Sequence, residues 1–146
     1  MQYDGSGLQV LSRQECLDLL STAEIGRIVF TDRALPAVQP VNFLLDGESI
    51  VIRTSRGSKL AAATRQAVVA FEADDFDPRE RTGWSVTVIG HARAVIEPDE
   101  VARLAGLPLE PWAPGGRDHY IVVGVEQVTG RRITAVRASG SASLLR

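Results

Sequence analysis

The chain has 146 residues, 45% of them hydrophobic and 23% charged, a balance that excludes a disordered polymer and predicts one globular domain. Sixteen Lys and Arg against eighteen Asp and Glu leave a formal charge of −2, without the surplus of cations that gripping a nucleic-acid backbone requires. One cysteine excludes an internal disulfide, two histidines argue against a histidine-rich metal site, and with neither an export signal nor an apolar run near ~20 residues a cytoplasmic protein without membrane or metal is expected.

Residues 1–7 and 137–146 are small or polar and are expected to be flexible, leaving 8–136 as one domain. Ser12 followed three residues later by Glu15 is a capping box, with Leu11 as its apolar staple. The helix it opens is predicted to run to about residue 23, with Cys16, Leu17, Leu19 and Leu20 as its buried stripe. Strands are predicted over 25–31 and 35–45, joined at Asp32 and Arg33. Pro36 and Pro40 interrupt the second, which is therefore an edge or bulged there, because proline donates nothing to a ladder. Asp46 and Gly47 read as a type I′ hairpin into a strand over 49–54.

Ser58 caps a short alanine-rich helix over 59–65, and a strand follows over 67–72. The acidic stretch 74–82 reads as a solvated loop, and 83–96 as a long strand that Gly90 bulges or bends at a barrel corner. Pro98, Asp99 and Glu100 open a short helix to 105. Residues 107–116, with three prolines and two glycines, form a loop. A strand follows over 119–125, a turn at Thr129 and Gly130, and a final strand over 131–136. Short strands with hairpin-length links imply an antiparallel barrel or sandwich, and the links are too short for the crossovers of a parallel sheet.

Three segments stand out chemically. Residues 52–60 place Arg53, Thr54, Ser55, Arg56, Ser58 and Lys59 around Gly57, which is either a phosphate cup or a solvated basic turn with an ordinary serine cap. Gln39, Pro40, Val41 and Asn42 lie where prolines free backbone groups, which could meet the polar edge of a planar heterocycle or form a covered sheet edge. Trp84 and Ser85 open the long strand, where the tryptophan either stacks on a ligand or is buried in the core or a dimer contact. No nucleophile signature is present and no catalytic residue is singled out, so any reaction is expected to be carried by a cofactor.

The ordered set of 25–30, 40–43, 53–60, 68–72, 83–92 and 128–133, after the capped helix, resembles the pyridoxamine 5′-phosphate oxidase-like proteins of the short actinobacterial type. The resemblance spans about residues 8 to 136. It implies a split β-barrel in a homodimer with flavin sites between subunits, FMN in many relatives, the deazaflavin F420 in some, haem or no cofactor in a few. It further implies that Arg53, Thr54, Ser58 and Lys59 hold the cofactor phosphate, that Gln39, Pro40, Val41 and Asn42 line the flavin ring, and that Trp84 and Ser85 approach from near the dimer interface. A flavin-dependent oxidoreductase is the leading expectation, beside a non-catalytic flavin binder, a stress-linked dimer and an F420-dependent reductase. The C-terminal Arg-x-His pattern of the vitamin oxidase is absent, and arginine stands at position 53 where nitroimidazole-resistance relatives carry histidine. Neither of those activities is implied.

Overall fold

The computed structural model describes residues 2–135, apart from the side chain of Ala63. In chain order its elements are β1 (Gln2–Tyr3), β2 (Gln9–Val10), α1 (Arg13–Leu20), β3 (Ile25–Asp32), β4 (Leu35–Asp46) and β5 (Ser49–Thr54). They continue with α2 (Lys59–Ala63), β6 (Val68–Asp77), β7 (Thr82–Ala94), α3 (Pro98–Ala105), β8 (His119–Gly124) and β9 (Gln127–Ile133). Tyr3 pairs with Gln9 in a two-residue ladder at the N-terminal end predicted to be flexible. The segment 137–146, expected to be flexible, and Val136 lie outside the described residues.

Six strands close an antiparallel barrel in the order β3, β4, β5, β8, β7, β6, with β6 returning to β3. The fold is the split barrel that the family resemblance implies, and of the barrel and sandwich left open by the strand pattern it is the barrel. Two strands make closure possible by changing partners along their length. β4 pairs with β3 through Asn42 and with β5 from Phe43 onward. β7 pairs with β9 from Gly83 to Ile89, then with β8 from Ala92 to Ala94. Gly90 is the corner between these two pairings. A methyl group there would overlap the Gly124 carbonyl oxygen, so only glycine lets the two backbones approach. Inside the barrel Ile28, Phe30, Phe43, Ile50, Ile52, Phe71 and Val88 are buried, with the Phe43 and Phe71 rings edge-to-face at 4.7 Å. A second apolar layer lies outside β5 and β8, where Val51, Tyr120 and Val122 meet Val95, Leu104 and Leu109. β5 and β8 are thus covered on both faces, which is why their sequences read as continuous apolar runs.

The capping box forms as predicted. The Glu15 amide donates to Ser12 Oγ at 3.1 Å, and the Ser12 amide donates to Glu15 Oε1 at 2.8 Å. The helix stops at Leu20, earlier than expected, with Cys16, Leu17 and Leu20 buried.

Four local expectations are corrected. The type I′ turn expected at Asp46 and Gly47 is found instead at the first hairpin, for which no type was predicted and whose tip is Arg33 and Ala34. Arg33 and Ala34 both take positive φ between Asp32 and Leu35, the I′ pattern, while Gly47 alone does so between Asp46 and Ser49, the II′ pattern. The acidic stretch is strand, not loop, as far as Asp77. Its backbone continues the β7 ladder to Asp77↔Thr82, and Arg27 of β3 lies 3.3 Å from Glu72 and 3.2 Å from Asp74, so the charges do not prevent pairing. Thr129 and Gly130 lie in the middle of β9 rather than at a turn. Gly130 pairs with Val86, and a Cβ on it would come within 2.6 Å of Cys16 Sγ, so the glycine admits α1 rather than reversing the chain. α2 ends at Ala63, a single helical turn.

Candidate functional site at the split of the barrel

The split is set by the two prolines of β4. The Phe43 amide donates to Glu24 O at 3.2 Å, so odd-numbered residues of this stretch point their backbone groups toward β3. The even-numbered residues 36, 38, 40 and 42 point theirs the other way, where β5 would have to continue. Two of these four are Pro36 and Pro40, which carry no N–H. The β4–β5 ladder accordingly stops at Phe43↔Ile52, while Arg53 and Thr54 stay paired with Tyr120 and His119 of β8. The strands part, and among the described residues Leu35 to Asn42 pair on one side only.

The gap is a cleft of about 90 Å³ lined by Gln39, Pro40, Val41, Asn42, Arg53 and Thr54, together with Pro111, Ala113 and Arg117. Six of the ten residues predicted to bind cofactor therefore meet in one place. The loop 107–118 roofs it. Arg53 fastens the loop, donating from Nε to Arg117 O at 2.9 Å and from Nη1 to Leu109 O at 3.0 Å, with its guanidinium 5.5 Å from the Tyr120 ring centroid. Asn42 supplies another tie, its Oδ1 accepting from the Trp112 amide at 2.8 Å. Arg117 was not singled out in the sequence. Only strand pairing brings it here, because Thr54↔His119 sets residue 117 alongside the end of β5.

Among the described residues the lining contains two guanidiniums and no carboxylate. Thr54 Oγ1 donates to Ser58 Oγ at 3.1 Å, and Ser58 Oγ accepts from the Ala61 amide at 3.0 Å. The bend after β5 is thus held by its own hydroxyls. Ser58 lines a neighbouring cleft on the other side of that bend. Lys59 Nζ lies 3.5 Å from Asp32 Oδ2, at the β3–β4 hairpin.

Trp84 and Ser85 lie elsewhere. Trp84 pairs with Asp75 and Arg132, Ser85 with Asp74 and Arg131. Trp84 lines a third cleft of about 280 Å³ with Ile25, Arg27, Asp74 and Trp112. Trp112 connects the two regions, since Pro111 and Ala113 on either side of it face the split. Near Trp84, burial and the hydrogen-bonded Asp74 carboxylate push the Glu72 carboxyl up to about 7, with Arg27 opposing. Among the described residues no group of His, Cys, Asp and Glu could hold a metal ion, and no helix is long and apolar enough to cross a membrane.

Residues 12–138 match the family model described as pyridoxamine 5′-phosphate oxidase. The Mycobacterium tuberculosis protein Rv0080 is 45% identical over 130 residues, covering 86% of this chain and 85% of the relative. The structure of the FAD binding protein from Mycobacterium smegmatis superposes with a TM-score of 0.73 at 39% identity, covering 85% of this chain and 96% of that one. A Corynebacterium glutamicum crystal structure carrying the same family name gives 0.77 at 34% identity, over 87% of this chain and 93% of that one.

Proposed function

The chain belongs to the pyridoxamine 5′-phosphate oxidase family, and we propose that it binds a phosphorylated flavin of the FMN type at the split of the barrel, as a homodimer. The observation that carries this is the meeting of the unpaired β4 edge with Arg53, Thr54 and Arg117 in one cleft. The edge offers N–H donors at Val38 and Asn42 and carbonyl acceptors between them, which suit the alternating polar rim of a flavin ring. The two arginines suit a phosphate, for which a guanidinium gives paired, charge-assisted hydrogen bonds. Ser58 and Lys59 stand at the same bend, and Lys59 reaches a phosphate by leaving Asp32. The similarity to the FAD binding protein from Mycobacterium smegmatis supports a flavin as the ligand.

A bound flavin supplies two-electron redox chemistry, and the chain supplies binding, orientation and shelter from water. Among the described residues Arg53 and Arg117 are the only ionisable side chains lining the cleft, and neither guanidinium gives up a proton near neutral pH. This favours an oxidoreductase in which the cofactor carries the electrons, F420 being the alternative carrier. It equally suits a binder that never turns over.

A cleft of about 90 Å³ is smaller than the ~300–1,000 Å³ of ordinary ligand sites, which supports completion by a second copy. The β4 edge beside it exposes Leu35 at 68% and Val38 at 65%, apolar surface that a partner subunit would cover. The test is the absorption spectrum of the purified protein and titration with FMN, FAD and F420, alongside sedimentation. Flavin uptake at micromolar concentration by a dimer is expected. A colourless monomer that takes up none of the three refutes the proposal.

A further inference from the structure

The cleft of about 280 Å³ beside Trp84 carries the opposite charge to the split. Glu24, Asp74 and Asp75 line it against one cation, Arg27. That guanidinium is already engaged, 3.2 Å from Asp74 and 3.3 Å from Glu72. The Glu24 and Asp75 side chains have no hydrogen-bonding or ionic partner among the described residues. A phosphate, which the split attracts, is repelled here.

The walls are aromatic. Trp84 of β7 and Trp112 of the loop 107–118 both line the cleft, with Ile25 beside them. Trp84 packs against the barrel core, and Asp75 is its cross-strand partner, so an indole and an unpaired carboxylate stand as neighbours on one side of the sheet. Trp112 is 68% exposed, a large apolar side chain left in water. β4 fixes the two sides of the cleft relative to each other. Asn42 Oδ1 accepts from the Trp112 amide at 2.8 Å, and the Phe43 amide donates to Glu24 O at 3.2 Å.

An indole face is the electron-rich side of the ring and attracts cations more strongly than any other aromatic side chain does. It also stacks on flat rings. An aliphatic ammonium would answer the carboxylates and leave the stacking unused; a neutral ring would do the reverse. We propose that this cleft binds a planar aromatic cation of one or two fused rings, of the N-alkylpyridinium or N-alkylquinolinium class. The volume, just below the ~300–1,000 Å³ of ordinary ligand sites, suits a molecule of that size. Pro111 and Ala113 on either side of Trp112 line the split, so the cation lies beside whatever the split holds. The proposal goes beyond the flavin reading and does not depend on it.

Trp84 and Trp112 are the two tryptophans of the chain, so its indole emission reports on this cleft. The experiment titrates the purified protein with N-methylpyridinium by fluorescence and calorimetry. Nicotinate serves as an aromatic anion and tetramethylammonium as a cation without a ring. Saturable quenching with a dissociation constant below about 1 mM is expected for N-methylpyridinium, with both controls at least about fivefold weaker. Asp75→Asn and Trp112→Leu alter exposed side chains, and melting curves would record that both fold. Each should weaken the cation at least about threefold. Quenching that rises linearly without saturating is collisional and overturns the inference, as does nicotinate binding equally well or an affinity unchanged in both variants. Displacement of the cation by FMN also overturns it, since the cleft would then be part of the flavin's own site. Each of the first three outcomes leaves the flavin proposal standing, and a protein that binds the cation but no flavin refutes that proposal alone.

Discussion

Arg53 makes a prediction that separates its structural role from its proposed role toward phosphate. Replacing it by alanine removes two hydrogen bonds from a charged donor to main-chain carbonyls, at 2.9 and 3.0 Å, and the contact with Tyr120. Hydrogen bonds to charged groups contribute about 1.5–3 kcal/mol each, and a cation over an aromatic ring at a partly exposed site about 0.5–1 kcal/mol. Arg53 is only half-buried, and the carbonyls it leaves regain water. A net loss of about 2–3 kcal/mol is therefore expected, below the simple sum. At roughly 2–4 °C per kcal/mol for a domain of this size, the melting temperature should fall by about 4–12 °C. The loss should be concentrated in 107–118. The Trp112 amide, tied to Asn42 at 2.8 Å, should exchange its hydrogen about thirtyfold faster, because 2 kcal/mol in a local opening equilibrium is worth that factor. Arg53→Lys keeps the charge, but one ammonium cannot span two carbonyls in the same way, so it should fall between wild type and alanine. Exchange at Trp112 unchanged in Arg53→Ala, with a melting shift below about 1 °C, would show that the arginine does not hold the loop.

Three further outcomes are expected. Gly90→Ala overlaps the Gly124 carbonyl at the barrel corner and should cost at least about 3 kcal/mol or prevent folding, read as soluble yield and melting temperature, while Gly47→Ala disturbs only a hairpin. Glu72, with its carboxyl pushed up to about 7 by burial and by Asp74, binds a proton more readily folded than unfolded. The stability this contributes is full below about pH 4.5 and is lost as pH rises through 7; Glu72→Gln should flatten that decline, worth about 1–2 kcal/mol after screening of a side chain 28% exposed, in melting curves from pH 4.5 to 8. Arg117→Ala should weaken FMN binding more than about tenfold, whereas Lys59→Ala, whose ammonium is paired with Asp32, should weaken it less than about threefold in fluorescence titration, and the reverse order would place the phosphate at the bend rather than in the split.

What could be read in the sequence and what could not differ in physical kind. Pro36 and Pro40 announced an edge because a missing N–H is a property of the residue itself, independent of its neighbours. Gly90 announced a bulge or a corner for a similar reason, and the structure makes it the corner. The gathering of Gln39 to Asn42 with Arg53 and Thr54 followed from the hairpin between their strands, a local connection. The loop 107–118 could not be placed in this way. Its ties are the carbonyls of Leu109 and Arg117 and the amide of Trp112, main-chain atoms that every residue possesses, so no side-chain pattern encodes them. Arg117 entered the cleft unannounced because its position depends on the β5–β8 pairing across more than sixty residues of chain. The strand through Asp77 was hidden differently. Period-two alternation persists from Val69 to Ala73, but charged residues on the outer face make its continuation look like a solvated loop. Their compensating cation, Arg27, lies on another strand.

The charge in the split ties these features together. Ending the β4–β5 ladder leaves backbone groups of β4 without a strand partner, and a sheet opened in this way must satisfy them with water, a loop or a ligand. The loop covers the opening but does not fill the ladder, because its bonds run to the side chains of Arg53 and Asn42. In covering it, the loop also carries Arg117 to the side of Arg53, so two guanidiniums share a lining with no carboxylate. Like charges brought together raise the free energy of the empty state, and an anion between them lowers it. The same cations that fasten and accompany the loop thus give the cleft its preference for a phosphate. Occupancy should tighten the loop rather than displace it, since an anion relieves the repulsion between the arginine that anchors the loop and the arginine the loop contributes.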